Sequence, residues 1–551
     1  MTHATKSSGR GWKRPVIVAS SILGGLVVIA AAAVVIELPH ASLTSSTSAL
    51  AAVHLSGVPQ KIESVDATIN NKVIATTLAN HNAIVPTSKV PVSVPVDITV
   101  TLRRPSWIAW LLGSTETLHE TVTTPTAKLL DPVAIETANH PVTSDFSQPV
   151  SVVRITGDHT STVLHLSTPS ERVALAKAIG QSSAGIVKVS AAPEPWEQLT
   201  APTSLTYFQE SGNAPIAVIS PGTTNLTPSS PLTITLSEPV AHLFGSSMPT
   251  IRPTIAGADA VTGSWTQTTE YTLTFTPSGP NFWPGEQFTL SLPSPVSVST
   301  TSGSLAPASK SITLSGAALS DERLQQMLAG LNYLPLSFTP TTPATSSTLA
   351  SVAASTTAPV PGSFSWRWSV PTNLSDLWQV GNYNVITQGA TMAFEQDNHL
   401  NTDGLANPLL WPTLVKDTVS GTVDPHPYSY ILVHENLPEN LTLYENGQVA
   451  LTSLANTGIP GRTTAIGTFP IYERFTVAYM NGINPNGTPY HDLVHWINYF
   501  HGGDAVHGFV RATYGHPQSL GCVELPVPVA AQVFPLVHIG TLVTVVPVTA
   551  G

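Results

Sequence analysis

Short stretches that alternate apolar and polar residues, cut off about every ten residues by proline, glycine or serine, recur through most of this chain. PVSVPVDITVTLRR (91–104) is the longest; SVVRITGD, STVLHLST, PLTITLSEPV, YTLTFTPSG and FTLSLPSPV repeat the pattern. A period of two sends successive side chains to opposite faces, as in a half-buried strand. The 48 prolines and a charged fraction of only 10% favour short strands and turns over long charged helices. An apolar content of 42% is enough for packed cores, and 551 residues exceed what one core holds. The expected fold class is multidomain and mainly β.

Charge and cysteine count remove several function classes. The first 36 residues carry Lys6, Arg10, Lys13 and Arg14 and no acid, leaving 18 basic against 33 acidic side chains, or −15, in the rest. So acidic a body lacks the basic footprint that nucleic acid needs, and no nucleic-acid partner is expected. Cys522 is the single cysteine. It excludes an intrachain disulfide framework and a cysteine-rich zinc site. By count alone, Cys522 reads equally well as an inert buried thiol.

Residues 16–36, VIVASSILGGLVVIAAAAVVI, carry no charge. As a helix they would cross a bilayer of about 30 Å. The basic residues precede them, so 1–15 is expected to be a cytoplasmic stub, 16–36 a transmembrane anchor, and the remainder exported. A cleaved signal peptide is the alternative, but its apolar region is usually about 7–15 residues. The expected location is the cell membrane, single-pass, with the working part outside the cell.

Residues 41–57 read as a small polar spacer and 58–210 as a β-rich spacer domain, with ERVALAKAIGQ (171–181) as one short helix. Residues 214–315 read as a β-sandwich, and ISPGTTNLTPSSPLTITLSEPV resembles bacterial immunoglobulin-like domains. In 320–417, DERLQQMLAGLNYLPL predicts a helix capped by Ser320, and the Thr/Ala/Ser/Pro-rich 339–361 a loose insertion. ITQGATMAFEQDNHLNTDGLANPLLWPTL then resembles a small helical peptidoglycan-binding-like repeat through Ala393, Phe394, Leu400, Asp403, Gly404, Trp411 and Leu414. That resemblance implies a cell-wall polymer partner; a purely structural role fits the residues as well.

From about 428 strands return, with Asn446-Gly447 as a hairpin turn between YSYILVHEN-LTLYE and the strand after it. Within this region lies HGFVRATYGHPQSLGCVELP (507–526). A thiol nucleophile needs a base, donors for an oxyanion, and backbone that can approach substrate. His507 and His516 lie 15 and 6 residues before Cys522, Gly521 directly precedes it, and Ser519 is close. A paired thiol, otherwise near pKa 8.5, can ionise at neutral pH.

The order and spacing resemble the L,D-transpeptidase (YkuD-like) catalytic domain of bacterial wall enzymes, over 428–548. His507-Gly508 matches its "HG", and Ser519-Leu520-Gly521-Cys522-Val523 its "[ST]-H-G-C" and small apolar residue. Thr464, Gly467 and Phe469 match an upstream strand, with Ala465 in place of proline, and Ala530 to Val546 the closing helix and strand. Leu520 stands where histidine is common, and Glu524 where arginine or asparagine is usual.

The resemblance implies a β-sandwich-like catalytic domain in which Cys522 is the nucleophile and His507 its base, oriented by the Gly508 carbonyl. It implies an oxyanion hole from backbone at Leu520, Gly521 and Cys522, and a substrate-facing role for Ser519. Arg511 is a candidate for the cation that Glu524 does not supply, and His516 for an alternative base. Asp504 invites a Cys-His-Asp arrangement instead. The substrates implied are peptidoglycan stem peptides, with the thioester resolved by an amine (transpeptidase) or water (carboxypeptidase), no metal or organic cofactor required, and acylation by carbapenem-type β-lactams. A non-catalytic wall-binding scaffold is the rival from another class.

Overall fold

In a computed structural model, the structure describes residues 39–548 apart from 47, 138–139, 158–159, 176–178, 180–181, 211, 213, 301–303 and 344–345. The stub 1–15 and the run 16–36 lie outside the described residues. Among those described, no helix is long and apolar enough to cross a membrane. The chain is mainly β and divides into two compact units that part after Ser211.

The first unit holds two cores. Around one, Pro95–Arg103 pairs with Lys61–Ile69 on one side and Thr115–Thr123 on the other. The alternation in 91–104 is realised here: Val96, Ile98, Val100 and Leu102 are buried, and the residues between them face outward. The expected spacer 41–57 is instead a pair of antiparallel strands, His40–Ser45 and Ala51–Ser56. Ala41, Ala51 and Val53 are buried there, so small apolar side chains suffice to hold it on the core. The other core lies on a five-stranded sheet containing Val153, Ile155, Val189 and Leu205. The helix expected at 171–181 is not formed over 171–174, which continue the strand Ser161–Ala174. Pairing of Val173 with Ser144 on the neighbouring strand outweighs the helix propensity of that stretch.

The second unit begins with seven strands from Ile216 to Ser315. Phe275, Phe282 and Phe288 fill their core edge to face. Next comes the helix Asp321–Gly330, where the Ser320 hydroxyl accepts from the Arg323 N–H. The segment 339–361 is not a loose insertion. Leu336–Pro340 and Gly362–Trp366 form a hairpin, and Leu349–Ala354 a helix between them whose Ala353 is buried.

The helices Val385–Asp397 and Leu410–Ser420 bury Phe394, Trp411 and Leu414. Each such side chain contributes about 1.5–3 kcal/mol by leaving water. The same core includes Tyr430, Leu432 and Leu542 of the sheet that follows. The backbone of Gly389 comes so near that of Gly540 that a Cβ on either would lie 2.5 or 2.1 Å from the other's carbonyl oxygen. Glycine at both positions lets the helix seat directly on the last domain.

That last domain is two sheets on one core. The first runs Gln448–Leu454, Asn440–Glu445, Ser429–His434, Leu542–Val546 and Gly467–Pro470. Asn446 and Gly447 turn its hairpin with φ of 47° and 77°, the left-handed geometry that the pair favours. The second runs Glu473–Ile483, Pro489–His501, Asp504–Gly508 and Val523–Leu525. Ile431, Val433, Val506, Val523 and Val543 meet between the sheets, with Ala530 and Val533 of the helix Val527–Val533.

Candidate active site

The strand Asp504–Gly508 runs parallel to Val523–Leu525, with Val506 opposite Val523 and His507 opposite Glu524. Two segments separated by a fourteen-residue loop, 509–522, are thereby brought side by side. His507, at 3% exposure, leaves the sheet next to the point where Cys522 joins it. Both line one cavity of about 550 Å³, together with Ser519, Leu520, Arg511 and Glu524. The opposite wall is the long hairpin Glu473–Ile483/Pro489–His501, which contributes Tyr479, Met480, Tyr490, Asp492 and Tyr499.

His507 Nδ1 meets the Gly508 carbonyl at 3.3 Å. Asp504 lines the cavity but accepts instead from the Ala465 N–H, at 3.0 Å. The imidazole is thus held by a backbone carbonyl. If Nδ1 donates to that carbonyl, Nε2 is the basic nitrogen. The Cys522 thiol is directed at the Gly503 carbonyl, with Sγ at 3.7 Å. The loop before it is tied down by Ser519: its hydroxyl donates to the Cys522 carbonyl at 2.6 Å and accepts from the Gly521 N–H at 3.2 Å. Of the backbone donors expected to face an oxyanion, the Gly521 N–H is therefore already engaged.

Gly521 sits at φ +129°, and a Cβ there would lie 2.4 Å from Asp504 Oδ1. Both facts demand glycine immediately before the thiol.

Arg511 is not a free cation. Its Nε and Nη2 donate to the two Glu524 oxygens at 2.7 Å each, and Nη2 also reaches the Gln518 carbonyl at 3.3 Å. The guanidinium lies over the Phe509 ring, 4.8 Å from its centre. Arg511 and Glu524 thus offset each other's charge, and the carboxylate that looked repulsive in the sequence carries its own counter-ion. His516 is not among the residues lining the cavity. Its Nε2 meets Thr513 Oγ1 at 3.4 Å, on the loop behind it.

Burial sets the protonation states. It pulls the His507 imidazole below the usual histidine range; Glu524 acts against this and Arg511 with it. The Cys522 thiol is pushed up to about 12, first by burial and then by the Asp504 and Glu524 charges. Both shifts disfavour the charged forms and so act against a thiolate–imidazolium pair. A neutral thiol beside a neutral imidazole suits general-base catalysis, with the proton leaving sulfur as the sulfur attacks.

Sequence reasoning passed over three contributors. Asn456 is buried; it exchanges backbone hydrogen bonds with Glu524 at 2.9 and 3.0 Å, and its side chain accepts from the Gly515 N–H at 3.0 Å. Buried Glu439 accepts from the Thr457 N–H and hydroxyl at 2.6 and 2.7 Å, fixing the same loop. Neither has a local signature. The roofing hairpin had one: NGINPNG, a turn between two alternating runs.

A thiol, a carbonyl-held histidine and a glycine-bearing loop thus line one cavity at the second sheet of this domain. Residues 428–545 match the family model of the YkuD L,D-transpeptidase catalytic domain, and the chain carries that domain there. No curated protein matches the chain. Among solved structures, the L,D-transpeptidase from Mycobacterium smegmatis is 14% identical, covering 61% of this chain and 100% of its own, with a TM-score of 0.21. The catalytic domain of the E. faecium L,D-transpeptidase is 29% identical over 21% of this chain and 96% of its own, with a TM-score of 0.20. L,D-transpeptidase 3 from Mycobacterium tuberculosis, in complex with a faropenem-derived adduct, is 11% identical over 59% and 96%, with a TM-score of 0.20. The assignment of the domain stands on the family match.

Proposed function

We propose that this chain is an exported L,D-transpeptidase that crosslinks peptidoglycan stem peptides through a thioester on Cys522. The observation that supports it most is the meeting of Cys522 and His507 in one cavity within residues 428–545. In this reading His507 takes the thiol proton as Cys522 Sγ attacks the carbonyl before a terminal D-residue. The tetrahedral intermediate collapses, His507 returns the proton to the leaving amine, and the D-residue departs. An amine of a second stem then attacks the thioester, His507 accepts its proton, and the thiol is regenerated. Water in place of that amine would give carboxypeptidase action at the same site. The backbone N–H groups of Leu520 and Cys522 would receive the oxyanion, while Ser519, bonded to the Gly521 N–H, would hold that loop. A carbapenem, with a strained amide carbonyl, would acylate the same sulfur.

In the same reading 16–36 anchors the chain, with the domains after it in the wall space. The strand-rich parts at 58–210 and 214–315 act as spacers, the latter immunoglobulin-like. The part at 320–417 is peptidoglycan-binding-like and contacts wall polymer.

The test is intact mass analysis of the purified protein with a tetrapeptide muropeptide. Loss of the terminal D-residue with an acyl adduct on Cys522, absent in Cys522→Ala, is the expected result. Dimer product marks transpeptidation and trimmed monomer alone carboxypeptidation. A folded protein giving neither product nor adduct would favour the scaffold reading.

A further inference from the structure

The hairpin between Pro95–Arg103 and Thr115–Thr123 is interrupted by a helix, Ser106–Leu112, with the sequence SWIAWLL. It carries no charge, and only Ile108 is buried. Trp107 is 61% exposed, Trp110 81%, Leu111 54% and Leu112 37%. Scattered apolar residues on a surface are ordinary; two tryptophans and two leucines together on one short helix are not.

The display is braced. Arg104, with only 14% of its side chain exposed, pairs with Glu116 at 3.0 Å. Its Nη1 donates to the Leu112 and Thr115 carbonyls at 2.5 and 3.1 Å, pinning the helix end to the next strand. Trp110 Nε1 donates to the Trp107 carbonyl at 2.9 Å, so its one polar group is supplied within the helix. The Trp110 ring thus projects without asking a partner for a hydrogen bond.

Register says which way the helix points. Lys61 is opposite Arg103, and Arg103 opposite Thr115, so the helix caps the Lys61 end of this sheet. His40 is opposite Ser56, five residues before Lys61, a span of no more than about 18 Å. The strand His40–Ser45 also lies against Thr115–Thr123. The charge-free run 16–36 ends just before that strand in the sequence. The apolar helix therefore stands at the end of the unit where the chain arrives from that run. Tryptophan with leucine is the chemistry of a bilayer interface, and Arg103 beside them, 70% exposed and 3.8 Å from Glu63, keeps its head in water.

We propose that the helix Ser106–Leu112 inserts Trp107, Trp110, Leu111 and Leu112 into the interfacial layer of the membrane, docking the first unit on the lipid surface. The proposal takes the anchor reading of 16–36 as its setting and is tested apart from it. Full-length protein in a Cys522→Ser background receives one cysteine, by Trp110→Cys or by Val73→Cys, and an environment-sensitive fluorophore. Val73 is 75% exposed and sits past the turn at the far end of the strand Lys61–Ile69, about 30 Å away. Each protein is reconstituted into vesicles of phosphatidylcholine and phosphatidylglycerol, and also added to preformed ones, with and without spin-labelled lipid. Recovery in the reconstituted vesicles reports the anchor by itself. The label at 110 is expected to lose about twofold or more of its emission to the lipid quencher, and that at 73 none. Equal quenching at both sites, or none at 110 in either format, would overturn the proposal. So would a blue shift at 110 that needs no lipid and grows with protein concentration, which marks a contact between copies.

Discussion

Arg511 and Glu524 face each other through two hydrogen bonds of 2.7 Å, with Glu524 4% exposed and directly opposite His507 in the sheet. The pair sets both the charge beside the base and the shape of the cavity floor. Arg511→Ala would leave a buried carboxylate without its counter-ion. It is expected to cost about 2–4 kcal/mol in stability, and Arg511→Ala with Glu524→Ala together less than the sum of the single changes. A double-mutant cycle by denaturant unfolding checks this; strictly additive losses would mean the pair is not coupled.

The protonation states predict an unusual pH response. Acylation needs neutral His507, whose pKa is lowered from 6.5 by burial. The acid limb of the acylation rate is therefore expected below pH 6.5, with activity rising as pH climbs through it. Cys522, pushed up to about 12, gives no plateau in the ordinary thiol range. Its alkylation by iodoacetamide should be slow at pH 7 and gain about tenfold per pH unit through pH 10. A plateau by pH 8 would show that the thiol is not raised.

Gly521→Ala adds a Cβ 2.4 Å from Asp504 Oδ1 at a backbone angle alanine rarely adopts. A loss of about 1–3 kcal/mol is expected, and acylation falling by about a hundredfold or more because the loop carrying Cys522 shifts. Adding Asp504→Ala relieves the contact but not the φ, so rescue should be partial. Melting curves and adduct formation with a carbapenem separate the two effects.

Ser519→Ala removes the hydroxyl that bridges the Cys522 carbonyl and the Gly521 N–H. The expected cost is about 1–3 kcal/mol, with acylation about ten- to a hundredfold slower while the adduct still forms on Cys522. Ser519→Thr keeps the hydroxyl and should recover part of the rate if the methyl is accommodated. An acylation rate unchanged in Ser519→Ala would remove the hydroxyl from the positioning of the loop.

Hydrophobic period made several elements legible. Pro95–Arg103 and Ser429–His434 lie where alternation or an apolar run bounded by turns put strands. Ser320 capped the helix that its position suggested, and Asn446-Gly447 turned the hairpin. Reading failed where local signals were weak or misleading. The strand His40–Ser45 is polar apart from Ala41 and Leu43, and the helix-forming residues 171–174 were taken by a neighbouring strand. Both outcomes depend on partner strands, 6 to 16 residues on for His40–Ser45 and about thirty residues back for 171–174.

The same division holds at the site. By itself the sequence determined the chemistry available: one thiol, a histidine followed by glycine, and their order and spacing. Those are covalent facts, and no fold can alter them. Only the tertiary structure decided that Arg511 serves Glu524, that His516 meets Thr513 and does not line the cavity, and that Asp504 holds Ala465 while Gly508 holds His507. It also decided that burial pushes thiol and imidazole toward their neutral forms. Charge pairing and desolvation act between residues distant in the chain, through a low-dielectric interior that exists only once the two sheets close.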